Sequence, residues 1–171
     1  GLVGWYRRRG ARLWWPRRGA RGRRAAAAGA AVSTRSYIGR LNGDGTVTAI
    51  YCHFDGYPEH VGRILARHYT DAAKVDALIA LGSLLTIGAE IGTKHNPRAR
   101  TQSECTAIGR DAGEADAGAV VYASRREFRR AQRDSDAEYC YLYSDGRWQC
   151  FDVDGWEDVA VVLAAIAEAT P

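Results

Sequence analysis

The chain has no methionine, three phenylalanines, four prolines and four cysteines in 171 residues, and its absences narrow the field before any motif does. No apolar run reaches the ~18 residues that a membrane-crossing helix requires; the longest apolar-rich stretch, VAVVLAAIAEA, is short and interrupted by Glu168. Cys52, Cys105, Cys140 and Cys150 form no CxxC pair, and nothing upstream has a signal peptide's continuous apolar centre and small-residue cleavage site. They read as reduced thiols of a cytoplasmic protein. There is no GxGxxG after a strand, no GxxxxGK[ST] and no GxSxG, which disfavours dinucleotide-binding, phosphate-loop and serine-hydrolase architectures. No cofactor is implied, and no internal repeat is present.

Acidic residues are missing from one segment altogether. Residues 1–31 hold nine arginines, three of the five tryptophans and no lysine, serine, aspartate or glutamate. The formal charge of +4 therefore averages two unlike parts: residues 32–171 carry 15 basic and 20 acidic side chains, a charge of −5. The leader's composition cannot bury a core and is expected to be disordered. Clustered arginine with tryptophan suits a nucleic-acid arm, and arginine without acids suits an organellar targeting peptide. Arg, Gly, Ala, Pro and Trp are also what GC-rich DNA encodes in any frame. The expectation is that the leader lies outside the native protein, with Val32 as its alternative start and residues 32–171 as a single globular domain.

From Ser33 the texture is that of folded protein. An apolar run, the turn Asn42-Gly43-Asp44-Gly45 and a β-branched run predict a hairpin over about 35–53, with strands near 35–41 and 46–53. Pro58 at a first helical turn, with Val61, Ile64 and Leu65 at helical spacing, predicts a helix over about 58–69. Thr70 or Asp71 caps a second, about 71–81, with Val75, Leu78 and Ile79 inward and Gly82 ending it. Residues 82–104 read mainly as loop, and CTAIGRD and AVVYAS as short strands. Ser124 and Glu127 form a capping box for a helix over about 124–133. Alternating tyrosines 139, 141 and 143, with a turn at Asp145-Gly146, predict a hairpin over about 138–153, and a closing helix spans about 157–169, packed against the sheet. The order implies an α+β domain, a mostly antiparallel sheet with helices on one face.

The densest chemistry lies in YCHFDGYPEH, residues 51–60. His53 and Asp55 at a strand end, with Tyr57, His60 and Cys52 nearby, could supply an acid, a base and hydrogen-bond donors to one pocket, as a hydrolase or transferase would require. A metal set of Cys52, His53, His60 and His68 is disfavoured, because neighbours on a strand face apart and His60 and His68 diverge around a helix. The same geometry argues against Cys52 with His53 as a nucleophile and its base. As structure, Asp55-Gly56 is a turn and Tyr57-Pro58 leads into the helix. Arg126, Arg129, Arg130 and Arg133 fall on one helix face, which could meet an acidic partner or a phosphate backbone or simply be solvated. Tyr139, Tyr141 and Tyr143 could stack bases or form a helix-covered aromatic core.

The opening STRSYIG…DGTVTAIYCHFDGYPEHVG, with GRDAGE at 109–114 and the aromatic hairpin ending at Trp148, resembles a group of small uncharacterised bacteriophage and prophage proteins. The similarity spans about 33–150. It implies phage origin and an accessory role: binding a host protein or a small-molecule ligand, nucleotides included, as in counter-defence. Candidate ligand or partner residues are Arg35, His53, Asp55, Tyr57, His60, Arg110 and Asp111. A hydrolase or transferase using His53 and Asp55, and nucleic-acid binding through the Arg126–Arg133 face, are the alternatives.

Overall fold

The computed structural model describes residues 3–8, 11–16, 33–99, 103–151 and 155–169, in two compact units, 1–32 and 33–171. The first unit carries a two-stranded antiparallel hairpin, β1 (Val3–Arg8) and β2 (Ala11–Pro16), a pairing that the leader's composition does not signal. The rest of the leader, and with it most of the segment expected to be disordered, lies outside the described residues.

The second unit is α+β. Its eight-stranded sheet runs, in spatial order, β10 (Trp156–Asp158), β9 (Arg147–Phe151), β8 (Tyr139–Ser144), β3 (Ser36–Leu41), β4 (Val47–Cys52), β5 (Leu84–Thr86) and β6 (Thr106–Ala107), with β7 (Val120–Tyr122) also paired to β4. The centre is the hairpin of β3 (Ser36–Leu41) and β4 (Val47–Cys52). In its turn Asn42 N–H donates to Thr46 O (2.8 Å), while the Asp44 carboxylate accepts from Thr46 N–H and hydroxyl. The second hairpin, β8 (Tyr139–Ser144) and β9 (Arg147–Phe151), closes on Asp145 (φ 51°) and Gly146 (φ 77°). Two consecutive left-handed residues match the right-handed twist of the strands they join. β8 lies parallel to β3, and β5 (Leu84–Thr86) parallel to β4; the remaining pairs are antiparallel.

Both parallel pairs need long crossovers, and helices supply them. After β4 a π-helical turn, Pro58–Gly62, runs into α1 (Arg63–His68) and then α2 (Ala72–Ala80), where the Asp71 side chain accepts from Lys74 N–H. α3 (Ile108–Ala112) follows β6 (Thr106–Ala107), and α4 (Arg125–Arg133) follows β7 (Val120–Tyr122). The capping box at α4 forms as its spacing predicts, with Ser124 Oγ accepting from Glu127 N–H at 3.1 Å.

The helices cover both faces of the sheet, which corrects the expected single covered face. On one face Ile38, Ile50, Tyr141, Tyr143 and Trp148 pack against Val61, Leu65, Val75 and Leu78 of the helices after β4. On the other, Tyr37, Val47, Ala49, Cys140 and Leu142 pack against Phe128 of α4. A Cβ at Gly39 would lie 2.8 Å from the Phe128 ring, so the bare backbone there is what admits the ring. The tyrosines of β8 thus form a helix-covered core. Their polar tips meet backbone: Tyr141 OH donates to Gly56 O (2.8 Å), Tyr143 OH to Thr70 O (3.1 Å), and Trp148 Nε1 to Tyr69 O (2.8 Å).

Three local expectations change. β5 lies in the stretch read as loop, being only three residues long between glycines. The expected strand in CTAIGRD shrinks to two residues and turns into α3. The closing helix α5 spans Val159–Ala169, because Trp156–Asp158 first pairs with β9 as β10. Within α5 Val159 is buried and Val162 and Leu163 pack half-buried against the core, while Val161 and the alanines are exposed. No helix among the described residues is long and apolar enough to cross a membrane.

Candidate functional site

The junction after β4 is built on a fixed frame. His53 N–H donates to Leu84 O and Phe54 N–H to Leu85 O, both at 3.0 Å, which prolongs the pairing with β5 beyond the strand end. The chain then reverses at Asp55, whose φ of 56° is left-handed, a conformation that aspartate tolerates better than most residues. Gly56 N–H donates to Thr34 O at 2.7 Å, and a Cβ at Gly56 would come within 2.8 Å of the Arg35 carbonyl carbon. Only glycine allows the two backbones so close. Tyr57 O accepts from both His60 N–H and Val61 N–H, starting the helical turn over buried Pro58.

The side chains on this frame divide by direction. Cys52 is fully buried and its thiol lies against Phe54 O at 3.7 Å. Burial pushes the thiol pKa up to about 12, so it is neither thiolate nor exposed nucleophile. His53 turns the other way and shares a hydrogen bond between its Nδ1 and Tyr51 OH (3.0 Å), its ring edge-on to Phe54. The alternation therefore separates Cys52 from His53 as the strand period requires. Asp55 and Tyr57 are exposed and His60 is half-buried, its ring centroid 6.0 Å from that of Tyr57. Tyr51, which the residue pattern does not single out, is the immediate partner of His53. Burial raises its phenol well above the usual range.

Arg35 stands apart from that tip. Its backbone N–H donates to Glu138 Oε2 (2.6 Å), its Nη1 lies 3.8 Å from Asp136 Oδ2, and its carbonyl accepts from Glu138 and Tyr139. It fastens the start of β3 to the segment entering β8.

No protein-family model, curated protein or solved structure matches this chain.

Arg110 and Asp111 belong to a different place, the short helix α3, from which they reach the loop that follows β5. Arg110 Nη1 donates to Ile91 O and Gly92 O, Nη2 to Cys105 O and Asp111 Oδ2, and Nε to Asp111 Oδ1, all within 2.5–3.0 Å. Asp111, whose side chain is fully buried, also accepts from Ala107 N–H (2.6 Å) and His95 N–H (3.1 Å). Burial alone would raise its pKa, but the Arg110 guanidinium and those two N–H groups overcome this and hold it below the ordinary carboxylate value. His95 completes the cluster, Nδ1 donating to Thr93 O (2.9 Å) and Nε2 bonded to Thr106 Oγ1 (3.0 Å). Every one of these groups is spent on folding the loop. The sequence pattern gives no sign of His95, because Thr106 and Asp111, the side chains it meets, are brought to it by the fold.

The arginines of α4 also divide. Arg126, Arg130 and Arg133 are exposed, whereas Arg129 folds inward over the Phe151 ring, 3.8 Å from its centroid; the expected four-arginine face thus keeps three members. A surface pocket of about 160 Å³ lies between Thr70, Arg147, Trp148 and Asp158, and none of the junction residues lines it. Among the described residues no group of three or more His, Cys, Asp or Glu side chains is placed to hold a metal ion.

Proposed function

We propose that the protein is a small accessory protein of phage or prophage origin, acting in the bacterial cytoplasm by binding a host protein or a small-molecule ligand, nucleotides among the candidates. The junction after β4 is its binding surface. The observation that carries this reading is the contrast between an exposed polar tip, Asp55 and Tyr57 with His53 and His60 at its flanks, and the rigid frame beneath it. Left-handed Asp55 holds a carboxylate out into solvent on a backbone fixed by Gly56 and by the Tyr141 hydroxyl. Residues held in sparsely populated backbone regions by the structure around them cluster at functional sites. Preorganised tips of this kind lower the ordering cost of binding.

A hydrolase or transferase centred on His53 and Asp55 has less support. His53 is engaged with Tyr51, Cys52 faces the core with a protonated thiol, and Arg110 is fully committed to its loop. Asp55→Gly tests the binding reading cleanly, since glycine accepts a φ of 56° and the carboxylate alone is lost. In an amide NMR titration of the parent with linear and cyclic nucleotides and with purified candidate host proteins, shifts should cluster at 53–60. In the variant they should vanish while the rest of the spectrum is kept. Ligand-induced shifts confined to some other surface would defeat this reading.

A further inference from the structure

A second surface lies where α4 meets β9 and β10. Phe151 and Trp156 are register partners on one sheet face, their rings edge-on with centroids 5.2 Å apart, and both are only partly buried against the Phe128 cluster. The Arg129 guanidinium covers the Phe151 ring, and its Nε is a buried nitrogen with no hydrogen-bond partner among the described residues. Beside it Arg125 Nη1 reaches Gln149 Oε1 only at 3.5 Å, a contact too long to hold it. Arg126 is exposed with no ion pair among the described residues, whereas Arg130 and Arg133 both lean toward Asp134 (4.0 and 3.7 Å). Nearby acids on α4 and its cap are Glu127 and Asp134; Asp158 is occupied in capping Ala160 N–H. Asp152 and Asp154 join the two strands and lie outside the described residues.

We propose that this surface binds single-stranded nucleic acid, with Arg125 and Arg126 meeting phosphates and the Arg129–Phe151–Trp156 group receiving a base. An acidic protein partner would need only the cations. Flat guanidinium and aromatic surfaces beside them suit a base, since every base has a face to stack. The wider body, at −5, disfavours a duplex that presents phosphates across a broad front, while a single strand can engage locally. This surface is independent of the junction after β4.

The test uses the full chain throughout, so that the arginine-rich leader contributes equally to every variant. Anisotropy of a labelled 20-nucleotide oligo(dT) is followed as salt is raised. Arg126→Ala should reduce the slope of log affinity against log salt by about 0.7, one phosphate contact on a single strand. Trp156→Leu should weaken binding roughly fivefold or more with the slope unchanged, and Arg125→Ala, at a half-buried arginine, gives a second phosphate-contact variant whose slope should fall by a similar amount if Trp156→Leu loses its circular dichroism. An equal-length duplex should bind less tightly, and polyglutamate should compete poorly. Parental affinity and slope in all three variants, or competition by polyglutamate equal to that of unlabelled oligo(dT), would overturn the assignment.

Discussion

Asp111 shows how a titratable residue that looks available in sequence becomes structural in three dimensions. GRD places an arginine beside an aspartate, which resembles a binding pair on paper, but both side chains turn under the loop and satisfy Ile91, Gly92, Cys105, Ala107 and His95. A carboxylate held below its ordinary pKa stabilises the fold fully above the unfolded value, about 3.9, and loses that contribution as pH falls through the lower folded value. Asp111→Asn should therefore cost about 2–4 kcal/mol at pH 7, since it leaves Arg110 half-paired in a partly buried site. Urea denaturation of parent and variant between pH 7 and pH 3 checks the sign: the gap should stay constant down to about pH 4 and narrow below it. A gap independent of pH would show that the amide loses shape complementarity rather than charge.

At the scale of elements, α4 is the piece whose loss should cost most per residue, because Phe128 is the large apolar side chain it buries on one face of the sheet. It is fully buried, seated on Gly39 and edge-on to Tyr37. Phe128→Ala should lower stability by about 3–5 kcal/mol in chemical denaturation, with the native far-ultraviolet spectrum otherwise kept. The sequence made α4 legible through Ser124 and Glu127, and made both hairpins legible through Asn42–Gly45 and Asp145-Gly146, because caps and turns are local. It hid β5 and β10, each of three residues, since strands that short carry no period and exist only through neighbours such as Cys52 and Phe151. Helices on both faces were hidden for a related reason. Alternation in VTAIYC or YCYLYS says that two faces differ, and burial on both sides then makes both halves apolar. Within the candidate site, the separation of Cys52 from His53 was readable from strand period alone, while Tyr51 as the partner of His53, and His95 as the partner of Thr106, required distances.

For the body as a whole, the decisive contact is the parallel pairing of β3 with β8, Ser36 to Tyr139 through Arg40 to Tyr143. It joins the first hairpin to the last across about a hundred residues of chain, reinforced by Arg35 N–H to Glu138 and by Tyr141 OH to Gly56 O, sequence separations of 103 and 85. Neither hairpin buries both its faces alone, since Tyr141 and Trp148 of the second cover the backbone of the helical crossover that follows the first. Contacts so distant along the chain must be closed before they stabilise anything, which slows folding and couples the parts. Residues 33–171 should therefore unfold as one transition. Far-ultraviolet circular dichroism, reporting the helices, and emission of Trp148 in the β8–β9 hairpin, with Trp5, Trp14, Trp15 and Trp156 replaced by Phe, should give coincident urea midpoints. Tyr141→Phe, which leaves Gly56 O without its donor, should move both midpoints together by an amount equivalent to about 1–3 kcal/mol. Separate midpoints would mean that the first hairpin with its helices is stable without β8, and that the central parallel pair is a late addition rather than the joint on which the sheet depends.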